Sequence, residues 1–168
     1  LQLKAYAEAG YKVAAILSRT PERAREVAVL RGIPRVYERI EDMLQDPAIE
    51  ILDIAVPPDR QLDIVRQAVQ HGGHLKGILA QKPLAVTYED AAEIVRLCGD
   101  AKITLTVNQN MRYDKSVRAA KTLLENGTIG EPVFASIDMR GVPHFMPWQE
   151  ELGWVTLRIM SIHHIDCL

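Results

Sequence analysis

Ile49-Glu50-Ile51-Leu52-Asp53-Ile54-Ala55-Val56-Pro57-Pro58 is the stretch on which the fold turns. A short, nearly continuous apolar run suits a strand buried on both faces, as in a parallel sheet. The two prolines stop it, because neither can donate to a ladder. Beyond them the period changes. From 59 to 70, Leu62, Val65 and Val69 recur at three- and four-residue spacing, the pattern of an amphipathic helix. Residues 75–80 are again a short apolar run and read as a strand. Thr87 offers a hydroxyl N-cap to a helix reaching Cys98, and 103–107 is a further strand. Asp114 opens a helix with Val117, Leu123 and Leu124 as its apolar positions, which Asn126-Gly127 closes.

The same alternation runs upstream. Residues 1–9 read as the end of a helix with Gly10 as its C-cap, and 13–17 as a buried strand. Thr20-Pro21-Glu22 then places a hydroxyl at the N-cap, proline at N1 and an acid in the first turn of a helix that Gly32 ends. Residues 40–44 make a short helical turn. Strands alternating with helices of this length indicate βαβ units. The expected class is therefore α/β, a Rossmann-type doubly wound parallel sheet. After Gly130 the pattern shifts: Val133, Ala135, Ile137 and Met139 alternate with polar or aromatic neighbours, predicting a half-exposed strand over 132–139. Residues 143–148 read as loop and 157–168 as helix. The expected division is a nucleotide-binding domain over 1–112 and the start of an α+β second domain over 113–168.

A dinucleotide-binding βαβ unit carries Gly-x-Gly-x-x-Gly between its first strand and helix, and none of the ten glycines stands in that pattern. If residues 1–9 belong to the first Rossmann helix, the first strand and its phosphate loop lie upstream. That strand would stand between the strands at 13–17 and 49–56. Without it two sheet edges are unpaired, so the natural protein is expected to be longer at both ends.

Composition narrows the class. Of 168 residues 48% are hydrophobic and 25% charged, and 20 Lys+Arg against 22 Asp+Glu leave a net charge of −2. That balance gives no basic excess to suit nucleic acid or an anionic membrane surface, and no apolar run approaches the roughly 18 residues of a membrane span. Disorder, collagen and coiled coil are excluded as well. Two cysteines, Cys98 and Cys167, are too few for a disulfide framework and fit a reducing, cytoplasmic location; an upstream signal is compatible with a chain that opens in mid-pattern at Leu1.

Five segments, in order, carry a resemblance to a known family. They are Ile54-Ala55-Val56-Pro57-Pro58, Gln81-Lys82-Pro83, Asn110-Met111-Arg112-Tyr113, Asn126-Gly127-Thr128-Ile129-Gly130-Glu131-Pro132 and His163-His164-Ile165-Asp166. The chain resembles the Gfo/Idh/MocA family of glucose–fructose oxidoreductase and inositol dehydrogenase, whose second motif is Glu-Lys-Pro. The resemblance implies an NAD(P)-dependent oxidoreductase acting on a sugar-like or polyol alcohol or its ketone. It also implies a homo-oligomer formed through a second-domain sheet. Three positions depart from the family pattern: Gln81 replaces Glu, Ser161 a usual glycine, and Ile159 the Asp one turn before the histidine. Ile159 and Gln81 keep open a second reading, a non-catalytic NAD(P)-binding regulatory protein of the same fold.

Lys82 falls beyond the carboxyl end of a parallel strand, where open α/β sheets bind ligands. It can donate to a developing alkoxide in a dry cleft, or be a surface lysine beside a turn proline. His163 is the expected general base. Asp166, three residues on, shares its helix face and is expected to orient the ring or meet the substrate. Val56, Pro57, Pro58, Gln81, Lys82, Asn110 and Arg112 are expected to line the cofactor. Trp148 and Trp154 read either as a sugar-stacking wall or as packing. At the second strand's end, Ser18-Arg19-Thr20 and Arg23 offer hydroxyls, guanidinium groups and a helix N-terminus to an anion, or are a plain cap with solvated arginines. This favours NADP over NAD. No metal site is expected, and His71-Gly72-Gly73-His74 reads as a helix end and turn.

Overall fold

A computed structural model describes residues 2–140 and 146–168. In chain order the elements are α1 (Gln2–Glu8), β1 (Ala15–Leu17), α2 (Pro21–Arg31), β2 (Arg35–Tyr37), α3 (Ile40–Gln45) and β3 (Ile51–Ile54). Next come α4 (Pro58–His71), β4 (Gly77–Ala80), α5 (Tyr88–Asp100) and β5 (Thr104–Val107). A single 3-10 turn, Asn110–Tyr113, leads into α6 (Lys115–Glu125); α7 (Pro147–Glu151), a π-helical segment (Thr156–Ser161) and α8 (Ile162–Cys167) follow. The architecture is α/β with parallel strands, of Rossmann type.

The strands form two ladders, β1-β2 and β3-β4-β5, all pairs parallel. Register places Leu52, Ile78 and Leu105 in one row and Ile54, Ala80 and Val107 in the next. Those rows share one face, because side chains two apart on a strand point the same way. Val65 and Ala68 of α4 and Ile94 and Cys98 of α5 are fully buried in the same core. Burial of an aliphatic side chain such as Ile78 or Ile94 contributes about 1.5–3 kcal/mol. Leu62 and Val69 flank this core half-buried, so the helical spacing over 59–70 marks the face that packs.

Helix ends follow local chemistry. Thr87 Oγ1 accepts the Asp90 N–H at 3.1 Å. Gly32, at φ +65°, closes α2 with its N–H directed to the Ala28 and Val29 carbonyls, a left-handed geometry that favours glycine. α1 is tied to β3 through Asp53, which accepts from Tyr6 Oη at 2.8 Å and Gln2 Nε2 at 3.2 Å. Burial raises the Asp53 carboxyl above its ordinary range, against the pull of those two bonds.

Several expectations need correction. β2 was not expected; only Val36 of its three residues is aliphatic, and pairing with β1 makes it a strand. Residues 132–139 form no strand, and Val133, Phe134, Ile137 and Met139 are exposed, because no described segment offers them a ladder. Pro147 and Trp148, expected in a loop, open α7, where Gln149 Oε1 accepts the Met146 N–H at 2.8 Å. The rest of that loop, 143–145, lies outside the described residues. Thr20 stands at the N-cap of α2 but its hydroxyl accepts no backbone N–H. Leu123 and Leu124 of α6 are exposed.

Candidate active site

The carboxyl ends of β3, β4 and β5 converge on one place. β3 runs into Val56-Pro57-Pro58, where Pro57 caps α4 and Pro58, which needs no N–H partner, is its first residue. β4 runs into Gln81-Lys82-Pro83, and the Lys82–Pro83 peptide is cis. β5 runs into Asn108, whose N–H donates to the Ala80 carbonyl at 2.8 Å and whose Nδ2 reaches Gln81 Oε1 at 3.4 Å.

Lys82 is half-buried, and its Nζ donates to the main-chain carbonyl of Ile159 at 2.5 Å, 77 residues further along. Burial pulls its ammonium below the usual lysine range. One turn beyond Ile159 stands His163, only 7% exposed, with Nδ1 lacking any partner among the described residues. Its ring is held below the ordinary histidine value first by burial and then by the Lys82 charge; Asp166 pulls the other way and His164 adds slightly to the fall. A neutral, partly desolvated imidazole beside an ammonium is an arrangement able to take a proton from a hydroxyl that the ammonium polarises.

Asp166 is held by Arg112 and makes no hydrogen bond to His163 among the described residues. Its two oxygens accept from Arg112, Nε to Oδ2 at 3.0 Å and Nη2 to Oδ1 at 2.6 Å. A guanidinium fork matches a carboxylate in two bonds and carries full charge, whereas an imidazole kept neutral is the weaker competitor. The pair fastens α8 to the 3-10 turn after β5. It also raises the Arg112 guanidinium further above its normal value. Asn110, in the same turn, is exposed.

Around this convergence three buried polar atoms have no partner among the described residues: Gln81 Nε2, Gln109 Oε1 and His163 Nδ1. Buried polar groups are nearly always hydrogen-bonded, so a donor, an acceptor and a ring nitrogen left over at strand ends fit a polar ligand such as a carboxamide. At the end of β1, Ser18 Oγ accepts the Thr20 N–H at 3.3 Å. Arg19 and Arg23 are exposed, and neither forms an ion pair among the described residues, whereas Arg25 is paired with Glu22 and Glu38. Trp148 is half-buried with its Nε1 against Met146 Sδ, and Trp154 is exposed with a left-handed backbone at φ +50°. His74 Nε2 bonds the Asp46 carbonyl at 2.8 Å, and Cys98 is core. Among the described residues no three His, Cys, Asp or Glu side chains gather as a metal site would require, and no helix is long and apolar enough to cross a membrane.

One residue of this site escapes the sequence pattern. Gln61 of α4 is fully buried and makes three hydrogen bonds to the backbone on either side of Lys82. Its only signal in the sequence is a polar residue on the helix face that Val65 and Ala68 share.

Known proteins share this fold and part of its sequence. D-apiose dehydrogenase of Rhizobium rhizogenes is 32% identical over 160 residues, covering 94% of this chain and 46% of that protein. An oxidoreductase of Agrobacterium radiobacter, solved with NAD+, L-tartaric acid and magnesium, is 34% identical with a TM-score of 0.72 over 78% of this chain and 38% of the other. Levoglucosan dehydrogenase, solved with NADH and levoglucosan, is 31% identical with a TM-score of 0.65 over 71% of this chain and 32% of the other. The chain thus spans less than half the length of these relatives. Residues 2–109 match the oxidoreductase family with an NAD-binding Rossmann fold, GFO_IDH_MocA, and the chain belongs to that family.

Proposed function

We propose that the protein is a nicotinamide-dependent oxidoreductase whose substrate is a secondary alcohol of a sugar or polyol, or the corresponding ketone. One observation carries this reading. Lys82, at the end of a parallel strand, bonds the carbonyl of Ile159, and one turn further on the buried His163 stands within reach of its charge. When bound, the nicotinamide supplies the hydride acceptor or donor. Lys82 donates to the reacting oxygen and steadies the charge that grows on it. His163 takes the hydroxyl proton in one direction and returns it in the other.

Gln81, Lys82, Val56, Pro57, Pro58 and Asn110 line the cofactor in this reading, and Gln81 Nε2 and Gln109 Oε1, without partners among the described residues, meet its polar groups. Trp148 is the candidate wall for the sugar face. Arg112 and Asp166, expected from the sequence to touch cofactor and substrate, are joined to each other by two hydrogen bonds. We place them as positioning residues that hold α8, and with it His163, over the strand ends. Residues 1–112 would form the nucleotide-binding part and 113–168 the start of the part that closes over the substrate.

For the cofactor we favour NADP. Ser18, Arg19, Thr20 and Arg23 surround the N-terminus of α2, and both arginines are exposed, without an ion pair among the described residues, to meet a 2′-phosphate. The relatives solved with NAD+ and NADH make NAD the competing choice. Titration with NADPH and NADH, followed by nicotinamide fluorescence, separates the two. Tighter NADPH binding supports the arginine site; equal affinity removes it; binding of neither overturns the oxidoreductase reading.

Ile159 supports a second reading, a nucleotide-binding regulator. It is a buried aliphatic side chain where the family pattern has Asp, so no carboxylate at that position assists His163. Nucleotide affinity without any reduction or oxidation of sugars and polyols would favour this reading.

A further inference from the structure

We infer that Gln61, on the buried face of α4, is a positioning residue that sets where the Lys82 ammonium stands. The inference rests on the reading of Lys82 as the group that meets the reacting oxygen.

The ladder cannot hold the backbone around Lys82. β4 ends at Ala80, and its last link to the next strand is the Asn108 N–H on the Ala80 carbonyl. Beyond it the chain must leave the sheet, and Pro83 has no N–H to offer. The backbone groups of Gln81 and the carbonyl of Pro83 therefore need partners from elsewhere, since buried main-chain polar groups are costly when unpaired.

Gln61 supplies them. Its Oε1 accepts the Gln81 N–H at 2.9 Å, and its Nε2 donates to the Gln81 carbonyl at 3.0 Å and the Pro83 carbonyl at 2.8 Å. One amide thus serves one donor and two acceptors and grips the chain immediately before and after Lys82. The side chain is fully buried, 0% exposed, on a face shared with Pro58, Val65 and Ala68. With both neighbours held, the Lys82 Cα–Cβ bond leaves the turn in a fixed direction, and Nζ ends on the Ile159 carbonyl.

No other side chain of similar size reproduces this set. Methionine has the length and no hydrogen bonds. Glutamate has the shape, but its ionised form presents oxygens to two carbonyls where the amide presents N–H groups. Asparagine is one methylene short.

The test reads Lys82 without relying on turnover. The protein is reductively methylated with 13C-formaldehyde, which preserves lysine charge, and the Lys82 dimethylamino signal is assigned by its loss in Lys82→Arg. Its titration is then compared in wild type, Gln61→Met and Gln61→Leu, both uncharged replacements, each first shown to be folded by its thermal transition. The expected result is a titration displaced upward toward ordinary lysine in both variants, as the side chain gains access to water. Where a substrate is in hand, kcat should fall by about 10²-fold, the scale on which a 1 Å misplacement acts, with cofactor affinity little changed. A Lys82 signal that titrates as in wild type in a folded variant overturns the inference, whatever the activity. A displaced signal in a protein inactive from the start leaves Gln61 as the positioning residue and refutes the oxidoreductase reading instead. Should Gln61→Met fail to fold, the Gln61→Leu titration decides.

Discussion

Lys82→Met separates the chemistry of the site from its binding. The substitution keeps an unbranched stem of similar reach in a half-buried position, so the turn through Gln81 and Pro83 retains its Gln61 bonds. It removes the N–H donor that now ends on the Ile159 carbonyl at 2.5 Å, and with it the positive charge beside His163. Loss of one donor aimed at a developing oxyanion costs about 10²–10³ in kcat, roughly 2.7–4 kcal/mol. Cofactor affinity, which draws on many contacts, should stay within about tenfold, near 1.4 kcal/mol. A second consequence needs no substrate. The Lys82 charge favours the neutral form of His163, so its removal must raise the histidine's pKa. Nitrogen–proton correlation spectra of the imidazole across pH, in wild type and variant, read that shift directly. Turnover close to wild type, or a His163 that titrates at the same or lower pH in the variant, would refute the reasoning.

Other outcomes follow from the same geometry. Because burial and Lys82 depress His163, its base form persists to lower pH, and the acid limb of kcat/KM for alcohol oxidation should lie below the usual histidine value of about 6.5. Arg112→Gln and Asp166→Asn should each loosen α8 and reduce kcat more than cofactor affinity, and the double variant should be little worse than either single one; additive losses in kinetic assays would separate the two residues. Replacing Arg19 and Arg23 with alanine should weaken NADPH and leave NADH unchanged in fluorescence titrations. Ile94→Ala, a truncation at a fully buried position of α5, should destabilise by about 2–5 kcal/mol in denaturant unfolding.

Much of this fold is written locally. The apolar runs before Pro57 and before Lys82 are legible as strands by length and composition, but only the face carrying Leu52, Ile54, Ile78 and Ala80 is dry, and Ile51 on the other is 59% exposed. Thr87 and Gly32 mark helix ends through bonds made within a few residues. What stayed hidden depends on partners distant in sequence. Arg35-Val36-Tyr37 becomes a strand only beside β1, and the alternation over 132–139 has no neighbour among the described residues to complete it. The two chemical residues, Lys82 and His163, stand out by type and motif, but the contacts that hold them do not. Helix spacing places Asp166 on the His163 face, yet the longer reach and full charge of Arg112 take the carboxylate. Gln61 is one polar residue in a helical pattern that reads equally well without it, and only the fold shows that its amide closes on the turn around Lys82.

The most direct test is a crystal structure of the protein with NADP(H) bound. The account predicts the nicotinamide ring at the ends of β3, β4 and β5, bordered by Lys82 and His163, with the adenosine 2′-phosphate against Ser18 and Arg19. A nicotinamide bound away from Lys82 and His163, or a protein that takes up no dinucleotide, would contradict it.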